Sequence, residues 1–131
     1  NCTPTRVRLI HKGVNCPCNC VLCENGNEDT IHVFFLCNNA QQMWQQFGWW
    51  NGMQQHLQDH IADIVFSILQ AYNEDQTAHF MTVLWSIWQQ RNNKVCARAT
   101  TLLVDWRRAQ NQHSLNNSHM RQRSTTRWIK P

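Results

Sequence analysis

Apolar residues recur at helical spacing along most of this chain, and glycine, asparagine and proline mark where each run ends. Ala40, Met43, Trp44 and Phe47 fall at i, i+3, i+4 and i+7, which predicts a helix capped by Asn38 or Asn39 and stopped at Gly48. Ile61, Ile64, Val65, Ile68 and Leu69 form a second stripe with Asp59 as its cap, and residues 53–58 could extend it backward. The clearest helix start is Asn73-Glu74-Asp75, a capping residue followed by two acids at the positive end of the peptide dipoles. That helix is expected to reach about Lys94, with Met81, Leu84, Trp85 and Trp88 at helical spacing and Phe80, Val83 and Ile87 widening its apolar face. A further helix, Ala97 to about Gln110, would turn Leu102, Leu103 and Trp106 inward and Arg107 and Arg108 outward. Asn111 to Thr126 has almost no apolar residue and no period, so it reads as a flexible linker.

The pattern near the start is different. A short helix begun by Thr3 as cap, with Pro4 at its first position, would end at Gly13 and pack on the loop that follows. That loop contains Cys20, Cys23, His32 and Cys37, a C-x2-C-x8-H-x4-C arrangement whose donors can close tetrahedrally around one zinc ion. Asn25-Gly26-Asn27 tolerates positive φ and would reverse the chain, after which Thr30 to Phe35 is expected to run extended. Ile31, Val33, Phe34, Phe35 and Leu36 would cover one side of the ion. Four protein donors leave no position for substrate, which makes such a site structural. Cys16 or Cys18 could replace Cys20 in the set, and a disulfide framework among the seven cysteines is the bland alternative. His56 and His60 could share a helix face, but no third ligand or acid accompanies them and both read as surface polar residues. Trp49-Trp50-Asn51-Gly52 reads as a turn whose large aromatics pack in the core, or less commonly stack on bases.

Composition changes this picture in two ways. Hydrophobic residues make up 42% of the 131 residues and charged residues 15%, enough apolar material for one modest core. The net charge of +4 conceals an asymmetry. Residues 1–90 carry three Lys or Arg against seven Asp or Glu, whereas residues 91–131 carry nine against Asp105 alone. A basic C-terminal part can neutralise phosphate, so Arg91, Lys94, Arg98, Arg107 and Arg108 are candidate nucleic-acid contacts, with a solvated linker as the plainer reading. The odd cysteine count and the lack of a signal-peptide pattern favour an intracellular, reducing compartment, and Ile61 to Leu69 is too short to span a bilayer. The chain starts Asn1-Cys2-Thr3 without an initiator methionine and is expected to be a piece of something longer.

Several separate pieces match one family. Pro4-Thr5-Arg6-Val7-Arg8-Leu9, then Gly13-Val14, then the four-ligand motif with Glu28-Asp29 shortly before its histidine, then Trp44, resemble the zinc-binding region that follows the polymerase in plant non-LTR retrotransposon reverse transcriptases. Trp85-Ser86-Ile87-Trp88-Gln89-Gln90-Arg91-Asn92 is similar to the helix such polyproteins carry between the zinc region and their ribonuclease H domain. Trp128-Ile129-Lys130-Pro131 resembles the lead into the first strand of that domain. The chain departs from the family in lacking the helical segment that normally precedes the Pro-Thr stretch, in a shorter connection from Asn92 to Trp106, and in carrying neither the polymerase Asp pair nor the ribonuclease H carboxylates.

The expectation is therefore a mainly α protein: a small zinc-bound loop or short hairpin, three to four helices, and a flexible basic tail. Residues 1–50 would form the zinc-binding region, 51–112 a helical segment, and 113–131 a basic linker toward an absent ribonuclease H-like domain. The resemblance implies a structural Zn2+ and no catalysis by this chain. Its partners would be RNA or an RNA/DNA hybrid, with the neighbouring polymerase and ribonuclease H domains, and no membrane. A spacer or protein-interaction module without nucleic-acid binding is the alternative.

Overall fold

The computed structural model describes residues 3–125, the side chains through residue 122. Helices account for nearly all regular structure, and no strand longer than a single bridge pair occurs among the described residues. They are α1 (Arg6–His11), α2 (Asn38–Gln46), α3 (Trp50–Met53), α4 (Ile61–Ala71) and α5 (Glu74–Thr125), with a π-helical turn at His32–Leu36 and a 3-10 turn at Gln54–His56. The chain divides into two units, Asn1–Val95 and Cys96–Pro131.

The first unit is built on aromatic rings. Trp44 of α2 is completely buried, stacks on Phe35 at 5.7 Å and on Phe80 of α5 at 5.0 Å, and donates its indole N–H to the Phe34 carbonyl at 2.7 Å. A large ring can sit in the centre because its one polar atom is satisfied there. Phe34 stacks in turn on Trp88 at 5.8 Å. Ile64 and Ile68 of α4 and Phe80, Val83, Leu84 and Ile87 of α5 complete the core, whereas Leu69, Met81 and Trp85, expected on the same apolar stripes, are exposed: the buried face of α5 is centred on Phe80, Leu84 and Ile87. Cys20 and Cys37 belong to the same buried cluster, so the metal loop and the core share one interior.

The capping residues are sharper than the periodicity. Asn73 Oδ1 accepts from Gln76 N at 2.9 Å while Gln76 Oε1 accepts from Asn73 N at 3.2 Å, a reciprocal capping box at the head of α5. Gly48, with φ of 77°, ends α2 as expected. Elsewhere the caps shift. α1 starts after Thr5, not Thr3, and α4 starts after His60, because the Asp59 carboxylate pairs with His56 instead of capping. Trp49 and Trp50 are half-buried, Trp49 packing edge-on to Tyr72 and Phe80 at 5.0 and 5.4 Å and donating to His79 Nδ1 at 3.2 Å.

Two expectations about the C-terminal part are corrected. The separate helix from Ala97 and the flexible linker from Asn111 are one continuous helix with the segment before them, through Thr125. The physical reason is that no glycine or proline occurs between Glu74 and Thr125, so nothing interrupts the i to i+4 ladder. In the second unit Leu102, Leu103 and Trp106 are exposed, not turned inward, since no other described element of that unit lies against them. Residues 126–131, including the Trp128–Pro131 resemblance and the end of the expected linker, lie outside the described residues.

Candidate metal centre

The first half of the site is a tight cysteine turn. Asn19 and Asn27 form an antiparallel bridge pair, and around it Cys20 N donates to Gly26 O at 3.0 Å and Glu28 N to Cys18 O at 2.8 Å. The hairpin thus closed holds Cys20 and Cys23 on its loop, with Glu24 N donating to Cys20 O at 3.0 Å. Such a reversal demands positive φ, supplied by Gly26 at 63° and, at more steric expense, by Glu24 at 61°. A β-carbon on Gly26 would just touch the His32 ring at 3.4 Å, so it is the positive φ, more than the space, that calls for glycine here.

The second half corrects the extended run expected from Thr30 to Phe35, which is helical instead. Asp29 explains why. Its Oδ1 accepts from His32 N at 2.7 Å and its carbonyl from Val33 N at 3.1 Å, the bonding of a helix N-cap. The turn then widens to π geometry, and Cys37 N donates to His32 O at 2.7 Å, five residues back. This wide turn buries Val33, Phe34 and Phe35 under the site, leaves Ile31 half-buried and Leu36 exposed, and sets Cys37 at the residue preceding α2.

The outcome is convergence. The donor atoms of Cys20, Cys23, His32 and Cys37 all lie within 4.8 Å of one another. Cys20 Sγ and Cys37 Sγ are 3.8 Å apart, and Cys23 Sγ and His32 Nε2 are 3.3 Å apart. Two thiolates on one tetrahedral zinc, each at the usual bond length, stand about 3.8 Å apart, and a thiolate and an imidazole about 3.6 Å, so the donor set fits that ion. Cys16 and Cys18 stand outside the cluster: Cys16 Sγ faces the Arg6 carbonyl at 3.9 Å and Cys18 is exposed beside the Asn19 side chain. All six described cysteines are free, which sets aside the disulfide framework for them. His56 Nδ1 pairs with Asp59 at 3.2 Å, and neither it nor His60 joins the cluster.

The thiols already behave as a set. A shared hydrogen bond with Cys37 is the main cause that holds Cys20 down to about 5, against the opposing effect of burial. The same bond, with burial, pushes Cys37 up. When bound, zinc would supply the positive charge that lets all three sulfurs be thiolates at once.

With this geometry in place, one comparison with known families bears on the site. Residues 1–44 match the family model described as zinc-binding in reverse transcriptase. The matched segment contains all four converging donors and ends at Trp44, the ring that seats the loop on the core. What the matching model describes is a zinc-binding region. No curated protein and no solved structure matches the chain.

The basic candidates differ in exposure and are divided between the two units. Lys94 is exposed in the first unit; in the second, Arg98 is half-buried while Arg107 and Arg108 are exposed, Arg108 lying 4.0 Å from Asp105. Arg91, expected to face phosphate, is instead turned inward and only 5% exposed, its guanidinium on the fully buried carboxylate of Glu28. The reason is legible in the spacing. Phe80, Leu84, Ile87 and Arg91 fall at i, i+4, i+7 and i+11, so Arg91 continues the buried stripe of α5 and requires an acid inside. Glu28 and Asp29 are the residues that motif reading undervalued: neither binds metal, yet they shape both halves of the site.

Proposed function

We propose that this chain is a non-catalytic, zinc-stabilised nucleic-acid-binding module, a fragment of a retrotransposon reverse transcriptase polyprotein. The observation that carries it is a Cys3His donor set, closed to tetrahedral spacing, inside a segment matching the reverse-transcriptase zinc-binding model. Zinc would hold Cys20 to Cys37 in shape, and Lys94, Arg98, Arg107 and Arg108 would approach phosphate; Arg91 leaves that set because it is consumed by Glu28. Free thiols as ligands suit a reducing, intracellular compartment. No helix among the described residues is long and apolar enough to cross a membrane.

The test is binding by the purified full chain. One zinc per chain, with affinity for single-stranded RNA well above that of a charge-matched peptide, supports the reading. One zinc with affinity no better than the peptide removes the nucleic-acid half.

A second reading is favoured by the exposed aromatics. Trp85 and Trp106 are 61% and 58% exposed, more than a solvated helix needs. As a spacer, the chain would use them to meet neighbouring polymerase and ribonuclease H domains. Aggregation of the isolated chain that is relieved by adding those domains, without RNA affinity, would favour it.

A further inference from the structure

Glu28 sits where three parts of the first unit meet, and its carboxylate is fully buried. Oε2 accepts from Val21 N at 2.9 Å, the amide next to the metal-site residue Cys20. Oε1 accepts from Arg6 N at 3.0 Å, at the open start of α1, where no side chain of α1's own cap serves that purpose. Oε1 also takes the guanidinium of Arg91 through Nε at 3.2 Å and through Nη2. Arg91 is held from its other sides by the Pro4 carbonyl at 3.2 Å, by Asn92 Oδ1 at 3.2 Å, and by the Trp88 ring at 5.1 Å. The main chain of Glu28 closes the same junction, its N–H on Cys18 O at 2.8 Å and its carbonyl on Val7 N at 3.1 Å.

We infer that Glu28 is the positioning residue through which metal loading of the cysteine turn and docking of α5 become a single event. The inference rests on the zinc reading above. If α5 lifts away, the carboxylate keeps its bond to Val21 N but loses its counter-charge in a dry interior, a state strongly disfavoured for a buried ion. If the cysteine turn opens, Val21 N and Cys18 O move off Glu28, and the guanidinium of Arg91 is left against Trp88 without its acid. Neither half is comfortable alone, so the junction has two arrangements, both parts docked or both released. Whatever binds only the closed turn then favours docked α5, and docked α5 tightens that binding by the same factor.

Zinc affinity of the full chain, measured by chelator competition, is compared in the wild type, Glu28→Gln, Arg91→Met and the double variant. Each single variant is expected to weaken zinc by about 5–150-fold while the zinc-to-chain ratio at saturation stays at one. The double variant is expected to be no weaker than the worse single, because each change removes the same interaction. Losses that multiply, or singles within twofold of wild type, would overturn the inference. Hydrogen exchange of the wild type needs no variant and guards against loss of folding: amides of residues 80–95 should gain about tenfold or more protection on adding zinc, and unchanged protection would overturn it as well. A wild type that binds no zinc at all would sink the zinc reading itself, whereas one zinc without the coupling sinks this inference alone.

Discussion

The amide of Cys37 donates to the carbonyl of His32 across 2.7 Å, and this bond spans a single π-helical turn whose two ends carry the last two metal donors. The first two, Cys20 and Cys23, are fixed independently by the hairpin between Asn19 and Asn27. At their donor atoms the halves meet in the Cys20–Cys37 and Cys23–His32 pairs, weak thiol contacts that a shared zinc ligand would replace with far stronger bonds. Removing one donor should therefore release both. Cys23→Ser or His32→Ala is expected to abolish stoichiometric zinc binding and to unfold residues 14–47, while the Asn73 to Lys94 segment stays partly helical. Zinc sites in small peptides contribute about 10–16 kcal/mol, comparable to a whole domain's stability, so the loss should be large. Residue-resolved hydrogen exchange checks it, and unchanged protection in the loop would count against it.

Trp44 is the next most sensitive position. Replacing it with alanine empties the space between Phe35 and Phe80 and should lower stability by about 3–5 kcal/mol. Trp44→Phe keeps much of the volume but leaves the Phe34 carbonyl without its donor, for an expected loss of about 1–3 kcal/mol. Denaturant titration of the zinc-loaded protein should place the two variants in that order.

Gly26 tests the backbone of the hairpin. Gly26→Ala puts a side chain at φ of 63° and brings a β-carbon to 3.4 Å from the His32 ring. The conformational part alone should cost about 1 kcal/mol, and zinc affinity should fall about fivefold or more by the same linkage. Gly13→Ala, whose added carbon would meet nothing within 4 Å, should leave zinc affinity nearly unchanged despite a similar φ.

At the head of α5, Asn73→Ala removes the acceptor for Gln76 N and should cost about 1 kcal/mol, read as a lower melting temperature. Asp29→Ala should do more than an ordinary cap loss, because it frees the amide of a metal donor, His32. Chelator competition should show weaker zinc for Asp29→Ala and little change for Asn73→Ala.

If the basic residues meet phosphate, Arg107→Gln with Arg108→Gln should reduce the slope of log affinity for single-stranded RNA against log salt by about 0.7 per lost contact. Arg91→Gln should act differently, through folding and zinc affinity, since its side chain is buried on Glu28. An unchanged salt slope in the first variant would remove Arg107 and Arg108 from any phosphate contact.

Much of this was legible in the residues. The order Cys20, Cys23, His32, Cys37 names the donors because ligand spacing is a local property, and Phe80, Val83, Leu84 and Ile87 of α5 follow from its period, although an apolar face that broad did not tell them from the exposed Met81 and Trp85. What was not legible depends on partners distant in sequence or on competition between local forms. The β-rich run Thr30 to Phe35 favours a strand on propensity, yet the Asp29 cap and the burial of Phe34 and Phe35 in the core make it helical. Arg91 looked like part of a basic surface because its acid lies 63 residues earlier. The length of α5 was missed because a polar, aperiodic stretch lacks the signature of a packed helix, although nothing in it stops one.

The account depends most on metal ligation by the three sulfurs and one imidazole. Titrating the reduced, metal-free full chain with cobalt(II) and following its visible and near-ultraviolet absorption tests this directly. The expected result is saturation at one cobalt per chain, with tetrahedral bands and thiolate charge transfer that zinc then abolishes. Saturation without thiolate charge transfer, or the same spectrum from Cys20→Ser/Cys37→Ser as from the wild type, would contradict it.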